Sequence, residues 1–385
     1  MHKSAILVWK LLVGGLFFIT VAVSAEVGVS DTAILLGQSA AMSGPAADLG
    51  KQMREGAMLY FELINRQGGV YGRKINLISL DDGYEPDRAM PNTRKLIDEH
   101  KVFALFGYVG TPTSYAVMPM ITDAKIPFFA PFTGAEGLRH PVNKYIFNIR
   151  AGYIDETEKL VDWAVANHKT NIAVFYQNDS YGKAGLQGVE LAMKKRKLKI
   201  SALGTVERNT TEVAEAVKAI KKVHPDAIIM ISAYKSCAEF IRQTIKAGID
   251  PVFMNVSFVG SQALASQLGE DGHGVIISQV VPFPWDPTPA VAREFQKLMS
   301  KYLPGSQPSF NNLEGFIAAK IFTEALKRTG KDLTREKLIT ILESFRKVDI
   351  GDFAVTFTPS DHSGSSLVQL TIIIGKNGKF MYFSS

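Results

Sequence analysis

The chain is poor in cysteine, and Cys237 is the only one among its 385 residues. An intrachain disulfide is therefore excluded, and the stability of the fold must come from buried apolar surface. No cysteine follows the apolar N-terminal run, so the sequence lacks the attachment site of a lipid-anchored protein.

Sequence signatures of catalysis are also missing. The seven histidines are scattered without a metal-ligand spacing such as H-E-x-x-H, and neither a G-x-S-x-G elbow nor a Walker A loop occurs. Asp81 and Asp82 are adjacent in a predicted strand end, so their side chains would point to opposite faces and cap a turn rather than share a proton. The sequence predicts no enzyme, no metal site and no cofactor.

Long blocks of one charge are absent as well. The densest basic cluster, Lys194–Lys199, lies at the end of a predicted helix, where cations suit the helix dipole. A nucleic-acid partner is therefore not expected. Removing residues 1–25 would remove Lys3 and Lys10 and no acidic residue, which lowers the formal charge from +6 to +4.

The N-terminus reads as an export signal. Lys3 and Lys10 precede an apolar run from Leu11 to Val23, and small residues end it at Ala25. The run is too short to span a bilayer core of roughly 30 Å, so a stable membrane anchor is not expected. We expect cleavage near Ala25 and a periplasmic, monomeric mature protein.

Predicted strands and helices alternate along the chain, which is typical of α/β folds with parallel sheets. The first series consists of strands at 32–39, 75–80, 102–107 and 126–130 and helices at 48–67, 86–100 and 111–124. The second series consists of strands at 172–176, 200–204, 227–232, 252–255 and 275–280 and helices at 160–167, 181–195, 211–223 and 238–247. Three helices (290–302, 313–329, 334–344) and two strands (368–374, 379–383) close the chain. The pattern restarts near Arg150 and changes again near Val280, which predicts two α/β lobes.

Several strand-to-helix junctions carry residues suited to holding a ligand at the strand ends. In Gly107–Pro112, Thr111 is a good N-cap and Pro112 suits the first helical position, so backbone N–H groups there could bind a carboxylate. The alternatives at such places are an ordinary helix cap or turn. The other junctions are Ala130–Gly134, Ser180–Gly182, Ser232–Tyr234 and Asn255–Phe258.

Five segments occur together in the order typical of one family. They are Gly37–Gly50, Glu62–Gly72, Leu80–Pro86, Ala130–Arg139 and Gln177–Gly185. With them the chain resembles the type I periplasmic binding proteins of the leucine/isoleucine/valine-binding family, the solute receptors of ABC importers. The resemblance implies a Venus-flytrap α/β fold, with a parallel sheet flanked by helices in each lobe and three hinge crossings. Lobe one would comprise 26–149 plus 281–360, and lobe two 150–280 plus 361–385.

The resemblance also implies that one small molecule is held between the lobes, mostly by lobe one. Gly134 stands where the family usually has a hydroxyl, which Thr133 could supply. The matching positions are Ser43, Leu49, Thr111, Phe132, Thr133 and Gly134 in lobe one, and Tyr181, Tyr234 or Ala233, and Ser257 in lobe two.

Ser257 is the main departure from the family, whose amino-acid receptors usually place an acidic residue there for the ligand ammonium. Either another acid serves, with Glu314 the candidate, or the ligand has no α-amino group. A first-turn carboxylate favoured by the helix dipole is the alternative for Glu314. The sequence therefore predicts a receptor for an amino acid or similar carboxylate, with importer permease subunits as partners. A sensor for a membrane signalling protein and a receptor for an aromatic acid or small amide are the alternatives.

Overall fold

The computed structural model describes residues 26–375 and 378–383. The predicted export signal, with its cleavage position near Ala25, and two residues of the predicted turn at 376–378 lie outside them. Among the helices of the described residues, none is long and apolar enough to cross a bilayer.

The first part of the chain builds a parallel sheet of five strands, in the order β2-β1-β3-β4-β5. We call this sheet and its helices lobe one. Its elements are β1 (Ala33–Ala40), α1 (Ala47–Arg66), β2 (Lys74–Asp81), α2 (Pro86–Asp98), β3 (Ala104–Phe106), α3 (Thr111–Asp123), β4 (Phe128–Phe129) and β5 (Ile146–Phe147).

The next part forms most of a second sheet, and we call this sheet and its helices lobe two. The elements are α4 (Tyr153–Ala166), β6 (Ile172–Gln177), α5 (Ser180–Lys195), β7 (Leu203–Val206), α6 (Ala214–Lys221), β8 (Ala227–Ile231), α7 (Tyr234–Lys246), β9 (Val252–Asn255), α8 (Ser261–Leu268) and β10 (Ile276–Gln279).

The last part returns to lobe one and then completes the second sheet. It contains α9 (Ala290–Tyr302), α10 (Phe310–Thr329), α11 (Arg335–Glu343), β11 (Val348–Asp349), β12 (Ala354–Val355), β13 (Gln369–Ile374) and β14 (Lys379–Phe383). Helix α10 packs along α1, whereas β13 and β14 join lobe two. The seven strands of that sheet run in the order β14-β13-β10-β9-β8-β6-β7, and β13 is antiparallel to both of its neighbours.

Close packing of α1 and α10 fixes the helix that carries Glu314. The predicted apolar face of α1, which includes Met53, Phe61 and Ile64, is buried. Gly56 and Gly315 let the two backbones touch, because a Cβ at Gly56 would lie 1.7 Å from the carbonyl oxygen of Asn312. A larger residue at either glycine would push α10 away from the junction of the lobes.

The structure differs in detail from the predicted elements, and helix α4, for example, begins at Tyr153 rather than 160. Strand β7 begins at Leu203 rather than 200, because its pairing with β6 places Leu203 opposite Val174. Helix α7 begins at Tyr234 rather than 238, since burial of the Tyr234 side chain outweighs a weak local helix signal. Helix α8 was not predicted from the sequence, and it begins without a side-chain cap.

Three segments connect the lobes: the one after β5, the one after β10 and the one before β13. The first and third lie side by side, with Asn148 and Ser363 in a parallel bridge. The backbone N–H of Gly364 donates to the carbonyl oxygen of Asn148 at 2.7 Å. These segments bring the ends of both sheets together at one junction.

Candidate functional site

The turn after β2 is held by the two adjacent carboxylates, as the sequence predicts. Asp81 accepts hydrogen bonds from the backbone of Met42 and Gly83 and from the hydroxyl of Ser43 at 2.5 Å. Partial burial opposes ionisation of Asp81, but these bonds and one from Arg88 hold its pKa below the usual range. Ser43 is exposed and engaged with Asp81, so the structure does not bring it into the centre of the junction.

Asp82 holds the same turn from the buried side. It accepts from Ser39 Oγ at 2.7 Å and from the backbone of Tyr84 at 2.8 Å. Burial raises the pKa of Asp82 to about 6, against the opposing effect of these hydrogen bonds. The turn directs the Tyr84 side chain, which is fully buried, toward lobe two, where Gln177 Nε2 donates to its hydroxyl at 3.2 Å.

The junction between β3 and α3 differs from the prediction at one position. Gly110, with φ of 101°, is the N-cap of α3, and Thr111 is its first helical residue. Only glycine adopts the backbone conformation of position 110 readily. Thr111 already belongs to the helix, so it is not the N-cap. The Thr111 hydroxyl instead lies 2.6 Å from that of Thr133, and both residues are fully buried.

Thr133 and Gly134 connect this wall to lobe two through Tyr153. The Thr133 hydroxyl donates to that of Tyr153 at 3.3 Å, and the backbone N–H of Tyr153 donates to the Gly134 carbonyl at 2.7 Å. A Cβ at Gly134 would lie 2.7 Å from Cδ1 of Tyr153. The hydroxyl expected at position 134 is therefore excluded by the Tyr153 ring.

Five buried rings meet between the lobes, and we call them the aromatic cluster: Tyr84 and Phe132 of lobe one, and Tyr153, Tyr181 and Phe258 of lobe two. The Phe258 ring lies 5.8 Å from that of Tyr84, 5.5 Å from that of Phe132 and 4.6 Å from that of Tyr181, between centroids. The Tyr181 hydroxyl is buried and has no hydrogen-bond partner among the described residues. An unpaired buried hydroxyl is costly, so it is suited to a ligand atom.

Arg150 lies at the centre of this junction, with its side chain fully buried. Its guanidinium lies over the Phe132 ring, 4.4 Å from the centroid, and its Nη2 donates to Ser257 Oγ. Its Nε is 3.3 Å from Oε1 of Glu314, an ion pair without hydrogen-bond geometry. Nη1 has no hydrogen-bond partner among the described residues. Burial lowers the pKa of Arg150, but Glu314 and Glu156 outweigh it and raise the pKa above its usual value.

Glu156, in the first turn of α4, is a second buried carboxylate near Arg150. It accepts from the backbone of Ser257 at 2.7 Å, from Ser257 Oγ at 3.1 Å and from Ser278 Oγ at 2.6 Å. Burial raises the pKa of Glu156, although Arg150 and these hydrogen bonds oppose the shift. Ser257 therefore connects Glu156 to Arg150, and both its hydroxyl and its backbone N–H are engaged.

Glu314 is not a first-turn residue of α10, which begins at Phe310, so the dipole explanation for it is wrong. Its side chain is buried against Arg150. Burial raises the pKa of Glu314 to about 7, against the opposing attraction of Arg150. At neutral pH this carboxyl is therefore close to its protonation midpoint.

Leu49 and Tyr234 meet at another part of the junction. Both lie beside Gly260, where a Cβ would be 2.6 Å from Leu49 and 3.4 Å from Tyr234, so a larger residue at 260 would displace the Leu49 side chain. The backbone N–H of Asp48 reaches the Tyr234 hydroxyl at 3.5 Å. Nδ2 of Asn311, near Gly260, is buried without a hydrogen-bond partner among the described residues.

At the rim, polar side chains join the lobes. Glu85 of lobe one accepts from Arg208 Nη2 at 2.8 Å and from Asn209 Nδ2 at 2.6 Å. Asn209 also donates to the carbonyl of Gly83 at 3.0 Å, and Arg208 pairs with Asp179 at 3.0 Å. We call Glu85, Arg208 and Asn209 the rim latch.

The structure thus gathers nine of the ten predicted site residues at the junction and leaves Ser43 at its edge. Sequence reasoning named Phe258 only as part of the junction Asn255–Phe258 and did not propose it as a site residue. It missed the buried residues Arg150, Glu156, Tyr84 and Tyr153 as site residues. One signal was available, because Arg150 stands where the strand–helix pattern restarts. Within residues 26–375 and 378–383, no cluster of three or more His, Cys, Asp or Glu could hold a metal ion.

Comparisons with known proteins show which family and fold this chain resembles. Residues 33–378 match a family model described as periplasmic binding protein. Leu/Ile/Val-binding protein homolog 7 of Brucella suis is 25% identical over 311 residues, which cover 77% of this chain and 77% of that protein.

Solved structures give the same result. One of a possible leucine/isoleucine/valine-binding protein from Rhodopirellula baltica superposes with a TM-score of 0.87 and 35% identity, covering 94% of this chain and 98% of that one. A branched chain amino acid ABC transporter from Thermus thermophilus with bound valine shares the fold, with a TM-score of 0.81, 20% identity, and coverage of 92% and 96%.

Proposed function

This chain belongs to the type I periplasmic binding proteins of the Leu/Ile/Val-binding family, and we propose that it is the receptor of an ABC importer for a small organic carboxylate. Members of this family bind solutes in the periplasm and are not enzymes. The observation that carries the proposal is Arg150, a buried cation between the lobes with nitrogen atoms that lack hydrogen-bond partners.

The lobes would open and close about the three connecting segments, with boundaries at 149/150, 280/281 and 360/361. Contacts across the junction, from Tyr84 to Gln177 and from Glu85 to Arg208, exist only while the lobes are together. A ligand that touches both lobes would favour the closed arrangement, because it binds that state better. The importer would then recognise the closed receptor.

Arg150 is suited to a carboxylate. A guanidinium offers N–H groups in a planar fork, and charge-assisted bonds to a carboxylate are stronger than neutral ones. The Tyr181 hydroxyl, also unpaired, could donate to the same ligand. The predicted positions Thr111, Thr133 and Phe132 form the wall beside this group, and we propose that they contact the ligand.

The ligand's body would be apolar, because Arg150 lies over the Phe132 ring, which packs against Phe258 of the aromatic cluster. A ligand ammonium would have no free acid to meet: Glu156 is engaged by Ser257 and Ser278, and Glu314 pairs with Arg150. Burying an ammonium without a partner costs several kcal/mol. We therefore favour a carboxylic acid with an apolar or aromatic body and no α-amino group over a branched-chain amino acid.

A thermal-shift screen of purified protein, stripped of co-purified ligand, tests this function. The panel pairs each amino acid with its deaminated acid and adds aromatic acids and small amides. A ligand at about 100 times its Kd adds about 2.7 kcal/mol, enough to raise the midpoint by several degrees. Deaminated or aromatic acids should raise it. If only amino acids do, the proposed ligand class is wrong, and if no solute does, the receptor proposal fails.

The importer partner is tested in cells. Deleting the gene should abolish uptake of the solute found in the screen, and expression of the intact protein should restore it. Expression of Arg150→Met should not restore uptake. If the deletion strain instead takes up the solute as the wild type does but loses its growth response to the solute, that result would favour the sensor alternative.

A further inference from the structure

A pocket lies where the first and third connecting segments meet, and we call it the hinge pocket. Its volume is about 470 Å³. It is lined by lobe one before β5, by the start of α4 and by the third segment, with Arg139, Gly152, Asp155, Ser363 and Ser365 among its residues. Both lobes and the segments between them therefore contribute to one pocket that is separate from the aromatic cluster.

Arg139 is the unusual residue of this pocket. It is only 4% exposed, and its hydrogen bonds run from Nη2 to the backbone carbonyls of Ala151 at 3.3 Å and Thr133 at 3.5 Å. Its Nε and Nη1 are buried without hydrogen-bond partners among the described residues. Glu136 and Asp155 attract this charge, but the hydrogen bonds of the guanidinium go only to carbonyl groups. A buried charge is most stable when a partner of opposite charge is hydrogen-bonded to it directly.

Gly152 lies against one edge of this guanidinium with no side chain of its own. A Cβ at Gly152 would lie 3.3 Å from Nε of Arg139 and 3.6 Å from the carbonyl oxygen of Gly134. Since Gly152 also lines the pocket, the pocket extends to the residue that lies directly beside this buried, unpaired N–H group. Its backbone, with φ of −80°, would accept alanine, so glycine is not required there by conformation.

We propose that the hinge pocket binds a small monoanionic carboxylate, which pairs with Arg139 at the edge beside Gly152. Carboxylate oxygens match the guanidinium fork. Hydroxyl groups of the third segment, such as that of Ser365, also line the pocket.

The charge of the lining favours a monoanion over phosphate or sulfate. Glu136, Asp155 and Asp361 also line the pocket, with His140 as the other basic group. Glu136 pairs with His140 at 3.6 Å, Asp155 accepts from the backbone of Gly152 at 3.3 Å, and Asp361 accepts from that of Ser363 at 2.8 Å. Because repulsion grows with the charge of the ligand, these acids oppose a polyanion more strongly than a monoanion paired with Arg139.

Occupancy of the hinge pocket would be coupled to closure of the lobes. The pocket is built from both lobes, and Arg139 is bonded to the Thr133 carbonyl beside the aromatic cluster and to Ala151 in the first segment. A carboxylate bound here would stabilise the arrangement in which these groups are together. By reciprocity, it would raise the affinity for the ligand between the lobes, and that ligand would raise the affinity of the hinge pocket.

The test is titration of [13C]acetate, followed by NMR, against purified wild-type protein and three variants. Gly152→Ala would cover Nε without changing charge, Arg139→Met removes the cation, and Tyr181→Phe alters only the site between the lobes. We expect a saturable component that is weakened at least about tenfold in Gly152→Ala and Arg139→Met, as for loss of a charge-assisted pair, and unchanged in Tyr181→Phe.

Each other result overturns the proposal. No saturable acetate binding in the wild type, or equal binding in Gly152→Ala, means that Arg139 has no carboxylate partner. Loss in Tyr181→Phe with retention in Gly152→Ala places acetate between the lobes instead. If Arg139→Met does not fold, Gly152→Ala decides, with Arg139→Lys expected to retain part of the binding.

Discussion

The guanidinium of Arg150 and the carboxylate of Glu314 form a buried ion pair, with Nε 3.3 Å from Oε1. Arg150 follows β5 in the first connecting segment, whereas Glu314 comes from α10 of lobe one, more than a hundred residues later. The same guanidinium donates to Ser257 of lobe two. One cation thus joins the connecting segment, lobe one and lobe two at the point where we propose that the ligand binds.

Removing Arg150 should weaken both folding and binding. Arg150→Met leaves Glu314 and Glu156 buried without their cation, which typically costs about 3–5 kcal/mol. The double variant Arg150→Met/Glu314→Gln removes both charges of the ion pair but leaves Glu156 without its cation, so it should regain part of the stability and bind the solute no better. Urea unfolding and calorimetric titration measure the two effects. Recovery of affinity in the double variant would show that Arg150 does not hold the ligand.

Glu314 should make stability depend on pH. Its pKa in the folded protein is about 7, against an ordinary value of 4.5. The folded state keeps a proton that the unfolded state releases, so this contribution is full below about pH 4.5 and is lost as pH rises to about 7. The unfolding free energy of the wild type relative to Glu314→Gln should therefore fall by a few kcal/mol over this window. If the unfolding free energies of the wild type and of Glu314→Gln change with pH in parallel, Glu314 is not the group with the raised pKa.

The same carboxyl should make ligand affinity depend on pH, with a sign that reports the ligand's charge. A bound carboxylate disfavours ionised Glu314, so binding takes up a proton and affinity rises as pH falls through about 7. A ligand ammonium paired with Glu314 would release a proton and reverse the trend. Titration calorimetry in two buffers of different ionisation enthalpy measures the proton directly, and Glu314→Gln should abolish the dependence.

The rim latch should contribute modestly to ligand affinity. Glu85→Ala removes the acceptor of Arg208 and Asn209, and partly exposed ion pairs are worth at most about 1 kcal/mol. Solute affinity should fall roughly fivefold, with faster release. Arg196→Ala is the matched control, because it breaks pairs with Glu158 and Asp162 that lie within lobe two. If the two variants change solute affinity equally, the rim latch does not stabilise the closed arrangement of the lobes.

Trp285 should report closure by its fluorescence. Its ring stacks on Phe380 of lobe two at 5.6 Å and meets the edge of Phe310 of lobe one at the same separation. Opening would separate these rings and expose the indole. Addition of solute should therefore change the emission, and Trp285→Phe should remove the change while Trp163→Phe retains it. A response that survives Trp285→Phe would locate the moving contact elsewhere.

The sequence predicted the fold because buried parallel strands appear as uninterrupted apolar runs, such as those at β3 and β8, separated by amphipathic helices. It also predicted the junction residues Thr111, Phe132 and Tyr181 through the family resemblance, and their roles toward a ligand stay predictions. The lobe boundaries stay a prediction as well, and the sheet membership of β5, β10 and β13 supports them.

The buried charges could not be predicted from the sequence. Glu156 has the position of an ordinary first-turn carboxylate, and nothing local indicates that it would receive three hydrogen bonds from Ser257 and Ser278. Tyr84 has the appearance of a turn residue until Phe258, from the other lobe, lies against it. Such contacts depend on how two lobes meet, and residue patterns within one lobe carry little information about that.

The most direct test compares the solute found by screening with its neutral primary amide, by calorimetric titration of the wild type and of Arg150→Met/Glu314→Gln. We predict that the wild type prefers the carboxylate by at least about tenfold, the value of one charge-assisted hydrogen bond, and that the double variant loses this preference. A wild type that binds acid and amide equally, or a double variant that keeps the preference, would contradict a carboxylate site at Arg150.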